Sequence, residues 1–170
     1  MAVLRILQYP DPRLKLAAKP VTDFGPDFQK IIDDMFETHY AQDNCAALAA
    51  SQLDLINPPH VTVIDFSNNK NNPLCLVNAK IVEERGETFE EEACMSVGNE
   101  ERVGAKVKRA AWIKVESYDR FGKPQNFEAD GFLAKCIQHE LDHLKGILFI
   151  DHLSALKRDR LVKKLRKYNP

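Results

Sequence analysis

The 170-residue sequence has no long apolar run, no biased tract and no cluster of cysteines, and each absence removes a class of protein. Its longest uninterrupted apolar stretch, Cys45 to Ala50, is far shorter than the roughly 20 residues a bilayer-spanning helix needs, so no membrane helix is expected. The absence of repeats or low-complexity segments argues against a solenoid or a disordered chain. Cys45, Cys75, Cys94 and Cys136 are widely spaced, which suits reduced thiols or a metal ligand better than a disulfide framework. The first residues are interrupted by Arg5, Gln8 and Pro10 before a signal-peptide core could form, and together with the thiols this predicts a cytoplasmic protein.

Charge of one sign is also lacking. The net charge is −1, which argues against a general nucleic-acid binder, yet the segment from Leu153 to Pro170 holds seven basic residues against Asp159 alone. That tail reads as a solvated helix or as a patch facing RNA or a ribosome. What the chain does have is 44% hydrophobic and 29% charged residues, enough to build one ordinary core. Residues 1–152 are expected to form a catalytic domain, and residues 153–170 a basic C-terminal helix belonging to it.

Phe28, Ile31, Ile32, Met35, Phe36 and His39 recur at helical steps after Gly25-Pro26, with His39 on the apolar face as a packed core histidine. Val61 to Phe66 and Leu74 to Val82 read as strands, with Cys75 in the core. Ala111 to Tyr118, the turn Asp119 to Gly122 and a polar return strand read as a hairpin, with Trp112 in the core. By propensity Cys45 to Leu53 reads as helix. A further helix is expected after Asp130, capped by its carboxylate and ended by Gly146. Strands first and the main helix last give an α+β fold, with mixed or antiparallel strands around that central helix.

The helix carries QHELDHLKG, in which His139 and His143 lie one turn apart on one face and Glu140 is offset by one residue. This is the spacing for two imidazoles on one metal with a carboxylate beside them, while Leu133, Ile137, Leu141 and Leu144 form the face toward the sheet. A third ligand must come from elsewhere. The zinc-peptidase continuation places a histidine where this chain has Phe149, and Glu140 is the last glutamate, so a metallopeptidase is the weaker reading. His152 is one candidate. Cys94 is better placed, in EEACMS before the polar break at Gly98-Asn99, because a thiolate with two imidazoles leaves a fourth position open.

CAALAASQ at Cys45 to Gln52, EEACMS around Cys94 and QHELDHLKG at Gln138 to Gly146 together resemble the three motifs of the peptide deformylases, in their order. The opening YPDPRL at Tyr9 to Leu14 is similar to that family's N-terminal segment. The resemblance implies a metal-dependent amide hydrolase that removes the N-formyl group from the N-terminal methionine of nascent polypeptides. It implies Cys94, His139 and His143 as ligands of one divalent ion, Fe2+ in cells and replaceable by Ni2+, Co2+ or Zn2+. Glu140 is then the base, with the Gln52 side chain and the Met95 backbone amide holding the oxyanion. The substrate pocket is implied at Ala46, Ala47, Glu90, Glu92, Phe132, Lys135 and Cys136, and the basic tail as a ribosome contact.

The sequence departs from the family where glycine is usual, at Cys45, Ala47 and Ala93. Glu90 and Lys135 replace apolar residues around the substrate side chain, and are inferred to face each other as an ion pair. Desolvating such a pair gains nothing from a thioether, whereas side chains that reach solvent would leave only their stems in the pocket. Two alternatives therefore stand beside the main reading: a deformylase-like paralogue with altered substrate or weak activity, and a non-catalytic formyl-peptide-binding protein.

Overall fold

The computed structural model describes residues 2–98 and 103–168, so Asn99, at the expected break after the Cys94 segment, lies outside the described residues. Among these, α1 (Pro26–Tyr40) is followed by β1 (Ala47–Ala49), β2 (Val61–Ile64), β3 (Leu74–Arg85), β4 (Thr88–Glu92), β5 (Ala105–Arg109), β6 (Trp112–Tyr118), β7 (Pro124–Asp130), α2 (Gly131–Leu144) and α3 (Ala155–Tyr168). Five strands form one sheet in the order β1-β2-β3-β6-β7, and β4 pairs with β5 in a second. All ladders between these strands are antiparallel, which makes the fold α+β.

The apolar face of α2 sets the rotation of the functional helix. Ile137, Leu141 and Leu144 are buried and Leu133 half-buried against Ile64, Leu76, Ile113 and Val115 of the larger sheet. Each fully buried side chain of this size contributes about 1.5–3 kcal/mol, so turning the helix to expose them is strongly disfavoured. His139, Glu140 and His143 are thereby held on the side away from that sheet. Gly146 follows at φ 80°, and a Cβ there would run into the Lys15 carbonyl, so the chain can leave α2 at this angle only with glycine.

Three local expectations are corrected. Asp130 makes no side-chain cap: β7 runs directly into α2, and Gly131 at φ 56° supplies the reversal instead. Cys45 to Leu53 is not helical, because Leu48 and Ala49 pair with Val63 and Thr62 in β2 before one 3-10 turn at Ala50–Gln52. Cross-strand pairing overrides the propensity of alanine. Trp112 is half-buried where β3 and β6 end together, with the Arg85 guanidinium 4.4 Å above its ring. Cys75, half-buried, does pack against the core beside Val61, Val63 and Val77.

The tail packs on its own domain. Leu161 and Leu165 of α3 are buried with Leu7, Val103, Val107 and Phe149. Lys157, Arg160, Lys163, Lys164, Arg166 and Lys167 are exposed. No helix of the described residues is long and apolar enough to cross a membrane.

Candidate metal centre

Beyond β4 the chain tightens into a turn in which the Val97 N–H donates to the Cys94 carbonyl at 3.0 Å and the Ser96 N–H lies 3.4 Å from Cys94 Sγ. This turn aims the sulfur at α2. Cys94 Sγ is 3.2 Å from His143 Nε2, which is 3.1 Å from His139 Nε2, and the three donor atoms lie within 4.8 Å of one another. His152, the other candidate third ligand, is not among them; its Nε2 is 2.8 Å from Asp142. Phe149 stacks near the His139 ring at 6.2 Å between centroids.

The tautomer of His139 is set from behind. Its Nδ1 is 2.8 Å from Glu92 Oε1, and a carboxylate there holds the proton on Nδ1 and leaves the Nε2 lone pair facing the cluster. Arg109 grips the same carboxylate through Nε to Oε2 and Nη2 to Oε1, both at 2.9 Å, and reaches Asp142 at 2.6 Å. Side chains of Arg109 and Glu92 are only 4% and 3% exposed. Burial raises the Glu92 carboxyl, but Arg109 and then His139 outweigh it and hold the carboxyl at about 2.

Converging lone pairs on one sulfur and two imidazole nitrogens are stable only around positive charge, so this donor set fits a divalent cation. Burial alone would lower His139, yet Cys94 and Glu92 outweigh it and push it up to about 10, so the groups around this ring favour positive charge at Nε2, where a proton and a cation would compete for the same lone pair. His143 is held well below its ordinary value by burial and by His139.

Glu140 lines a cavity of about 220 Å3 beside these donors. Burial, assisted by the charge on Glu92 and opposed by His139, pushes its carboxyl up to about 7. Gln52 is locked at the same wall: its Oε1 accepts from the Ala49 N–H at 2.9 Å, while its Nε2 donates to Ser96 Oγ at 3.1 Å and lies 3.5 Å from Cys94 Sγ. The Met95 carbonyl accepts from Gln8 Nε2 at 2.7 Å, which fixes the peptide planes of the Cys94 turn.

Three converging donors that suit a cation, with a carboxyl group and a clamped amide lining the same cavity, are the parts of a hydrolytic centre, and a family model decides which one. The polypeptide deformylase model matches residues 3–159. The chain belongs to the peptide deformylases. It is 66% identical over 165 residues to peptide deformylase 1 of Coxiella burnetii, covering 97% of this chain and 96% of that protein. The crystal structure of a peptide deformylase from Legionella pneumophila superposes with a TM-score of 0.90 at 41% identity, covering 98% and 95% of the two chains. That of the Ehrlichia chaffeensis deformylase in complex with actinonin gives 0.88 at 32% identity, covering 99% of each.

The remaining deformylase-motif residues fall as follows. Ala46, Ala47, Glu92, Phe132, Lys135 and Cys136 line the cavity with Cys94 and Met95. Glu92 turns its carboxylate away to Arg109 and His139. Glu90 is not on the wall; it stands at the rim, 59% exposed, with its carboxylate 3.3 Å from Lys135 Nζ. The inferred ion pair is therefore present, and Lys135, 18% exposed, is its buried end. Cys45 and Ala93 also line the cavity, and neither they nor Ala47 has the left-handed backbone that glycine would favour; Asn44, at φ 57°, takes that role. Arg109 and Asp142 were missed from sequence. Asp142 lies within the helix motif, but nothing in the local sequence of Arg109 points to a partner 17 residues back on the adjacent strand.

Proposed function

We propose that this deformylase removes the formyl group from the N-terminal methionine of nascent polypeptides, with Cys94, His139 and His143 holding one divalent ion. That ion is Fe2+ in the cell, and Ni2+, Co2+ or Zn2+ can take its place. When bound, it supplies Lewis acidity, which polarises the formyl carbonyl and makes water nucleophilic near neutral pH. Glu140 accepts the proton of the attacking water and returns it to the departing amine nitrogen, a task suited to a carboxyl with a pKa near neutrality. The Gln52 amide, held by Ala49, and the Met95 backbone N–H donate to the oxygen on which negative charge develops.

What supports this reading most is one arrangement: Glu140 beside the converged donors, with Gln52 clamped at the wall of the same cavity. Mere capture of a formyl peptide needs neither group. The exposed basic face of α3 supports contact with the ribosome in the cytoplasm, where formylated chains emerge. The Glu90–Lys135 pair supports a second reading in which the preferred first side chain is more polar than methionine.

Hydrolysis of formyl-Met-Ala-Ser by the nickel- or iron-loaded enzyme tests the assignment. Glu140→Gln should retain the ion and lose at least about 100-fold in kcat. A variant that retains the ion and turns over as fast as the parent would remove Glu140 from the mechanism. A fully loaded parent with no turnover would remove the activity.

A further inference from the structure

Cys45 lies on the lip of the catalytic cavity, at a position where deformylases usually carry glycine, and its neighbour is a base. His39, 2% exposed at the end of α1, places Nδ1 3.2 Å from Cys45 Sγ. The other ring nitrogen, Nε2, is 2.9 Å from the Asp65 carbonyl oxygen. A carbonyl can only accept, so Nε2 carries the ring proton. Burial keeps His39 below its ordinary pKa and therefore neutral, and its Nδ1 lone pair faces the thiol. The Ala47 carbonyl, 3.4 Å from the sulfur, is a longer and non-basic alternative acceptor. Nucleophile, base and a group that orients the base are thus in line, the arrangement by which a thiol is activated.

The other three cysteines are differently placed. Cys94 belongs to the donor cluster. Cys136, on the same cavity wall, is buried and pushed up to about 12 by burial and the Glu140 charge. Cys75 is pushed up to about 12 by burial. Cys75 is also half-buried but lies off the cavity, whereas Cys45 is partly open, paired with a base and on the cavity wall. A second observation indicates what would bind beside it. Phe66 and Phe132 meet edge to face at 4.9 Å between centroids, are 47% and 46% exposed, and with Cys45 and His39 line a depression that adjoins the cavity through Cys45 and Phe132. An exposed aromatic pair next to a nucleophilic sulfur suits a small, flat, apolar electrophile.

We propose that Cys45 is a covalent modification site for small disulfides, activated by His39 and seated so that its adduct closes the deformylase cavity. His39 Nδ1 takes the thiol proton. The thiolate attacks one sulfur of the disulfide, the S–S bond breaks, and the second sulfur leaves as a thiolate, which takes up a proton from solvent. The Cys45 sulfur is oxidised to the mixed disulfide and the departing half is reduced. A second thiol reverses the step. The blocking of turnover rests on the cavity being the catalytic one, whereas the chemistry at sulfur does not.

The test uses the metal-loaded full-length enzyme and 4,4′-dithiodipyridine, with adducts located by mass spectrometry and hydrolysis of formyl-Met-Ala-Ser followed in parallel. Cys45 should be labelled first, hydrolysis should fall in step and recover with dithiothreitol, and Cys45→Ala should keep its own rate after the reagent. His39→Gln should slow labelling of Cys45 by roughly tenfold or more. The product Met-Ala-Ser should protect Cys45 in the parent enzyme, a readout that needs no variant to fold. First labelling at Cys136 or Cys94, the same labelling rate in folded His39→Gln, or full hydrolysis by the Cys45 adduct would each overturn the proposal. If the parent has no turnover at all, labelling and product protection still decide the activated thiol, and it is the hydrolase assignment that has failed.

Discussion

Glu92→Gln separates the charge of the buried clamp from its shape. Glu92 Oε1 accepts from both His139 and Arg109, and Oε2 accepts from Arg109 alone. An amide can keep its oxygen on His139 only by turning its NH2 toward Arg109 Nε, which sets donor against donor and leaves a buried guanidinium with Asp142 as its remaining carboxylate. A carboxyl held at about 2 rather than the ordinary 4.5 contributes about 3 kcal/mol of stability at neutral pH. Removing one partner of a buried ion pair costs about 3–5 kcal/mol, and the retained His139 contact favours the lower end. The variant should therefore lose about 3 kcal/mol in urea unfolding of the metal-free protein, or roughly 6–12 °C in Tm. Because the native carboxyl is depressed, the parent's advantage is complete above its unfolded pKa and is lost as pH falls toward about 2. The gap between parent and variant should accordingly narrow from about pH 5 downward. Metal affinity, measured by chelator competition, should weaken by roughly tenfold because the His139 ligand is less firmly oriented. A gap below about 1 kcal/mol at pH 7, or one that is the same at pH 3, would refute the reasoning.

Two further outcomes follow from side chains at the edges of the site. Lys135→Met replaces the buried end of the ion pair with an apolar wall and should raise kcat/KM for formyl-Met-Ala-Ser by about tenfold relative to peptides with a polar first side chain. An unchanged ratio in a peptide panel would show that the ammonium of Lys135 lies clear of the bound side chain. Leu161→Ala empties a 5% exposed position where α3 meets the core and should cost about 2–4 kcal/mol in urea unfolding. A loss under about 0.5 kcal/mol would show that the tail is only loosely docked.

The parts of the molecule legible in the sequence are those whose signal is short-range. The three- and four-residue recurrence from Phe28 to His39 locates α1, and the turn at Asp119 to Gly122 locates the β6–β7 hairpin. His139 and His143 share a helix face by geometry alone. Cys94 could be preferred to His152 from its surroundings, but its approach to within 3.2 Å of His143 depends on a turn 49 residues earlier in the chain. The Arg109 clamp and the His39–Cys45 pair left no pattern, because each depends on where strands and helix ends meet in space. Propensity failed at Leu48 and Ala49 for the same reason, since β2 offered them a ladder that an isolated segment does not have.

The same dependence gives Leu7 to Tyr9, which lead into the family-like YPDPRL segment and carry no reacting group, a structural part in the site. The Leu7 N–H donates to the Gln52 carbonyl, the Tyr9 N–H to the Ser96 carbonyl and Gln8 Nε2 to the Met95 carbonyl, each at 2.7 Å. Three consecutive residues thus join the turn that presents Gln52 to the turn that presents Cys94 and Met95. These two turns come from separate stretches of chain, and the donors proposed to meet the developing oxyanion lie one on each. Preorganised donors stabilise charge only if they need not move when it appears. A rigid tie between the turns holds the two donors at a fixed separation. The constraint on Leu7 to Tyr9 is therefore geometric, acting through groups that never touch the substrate.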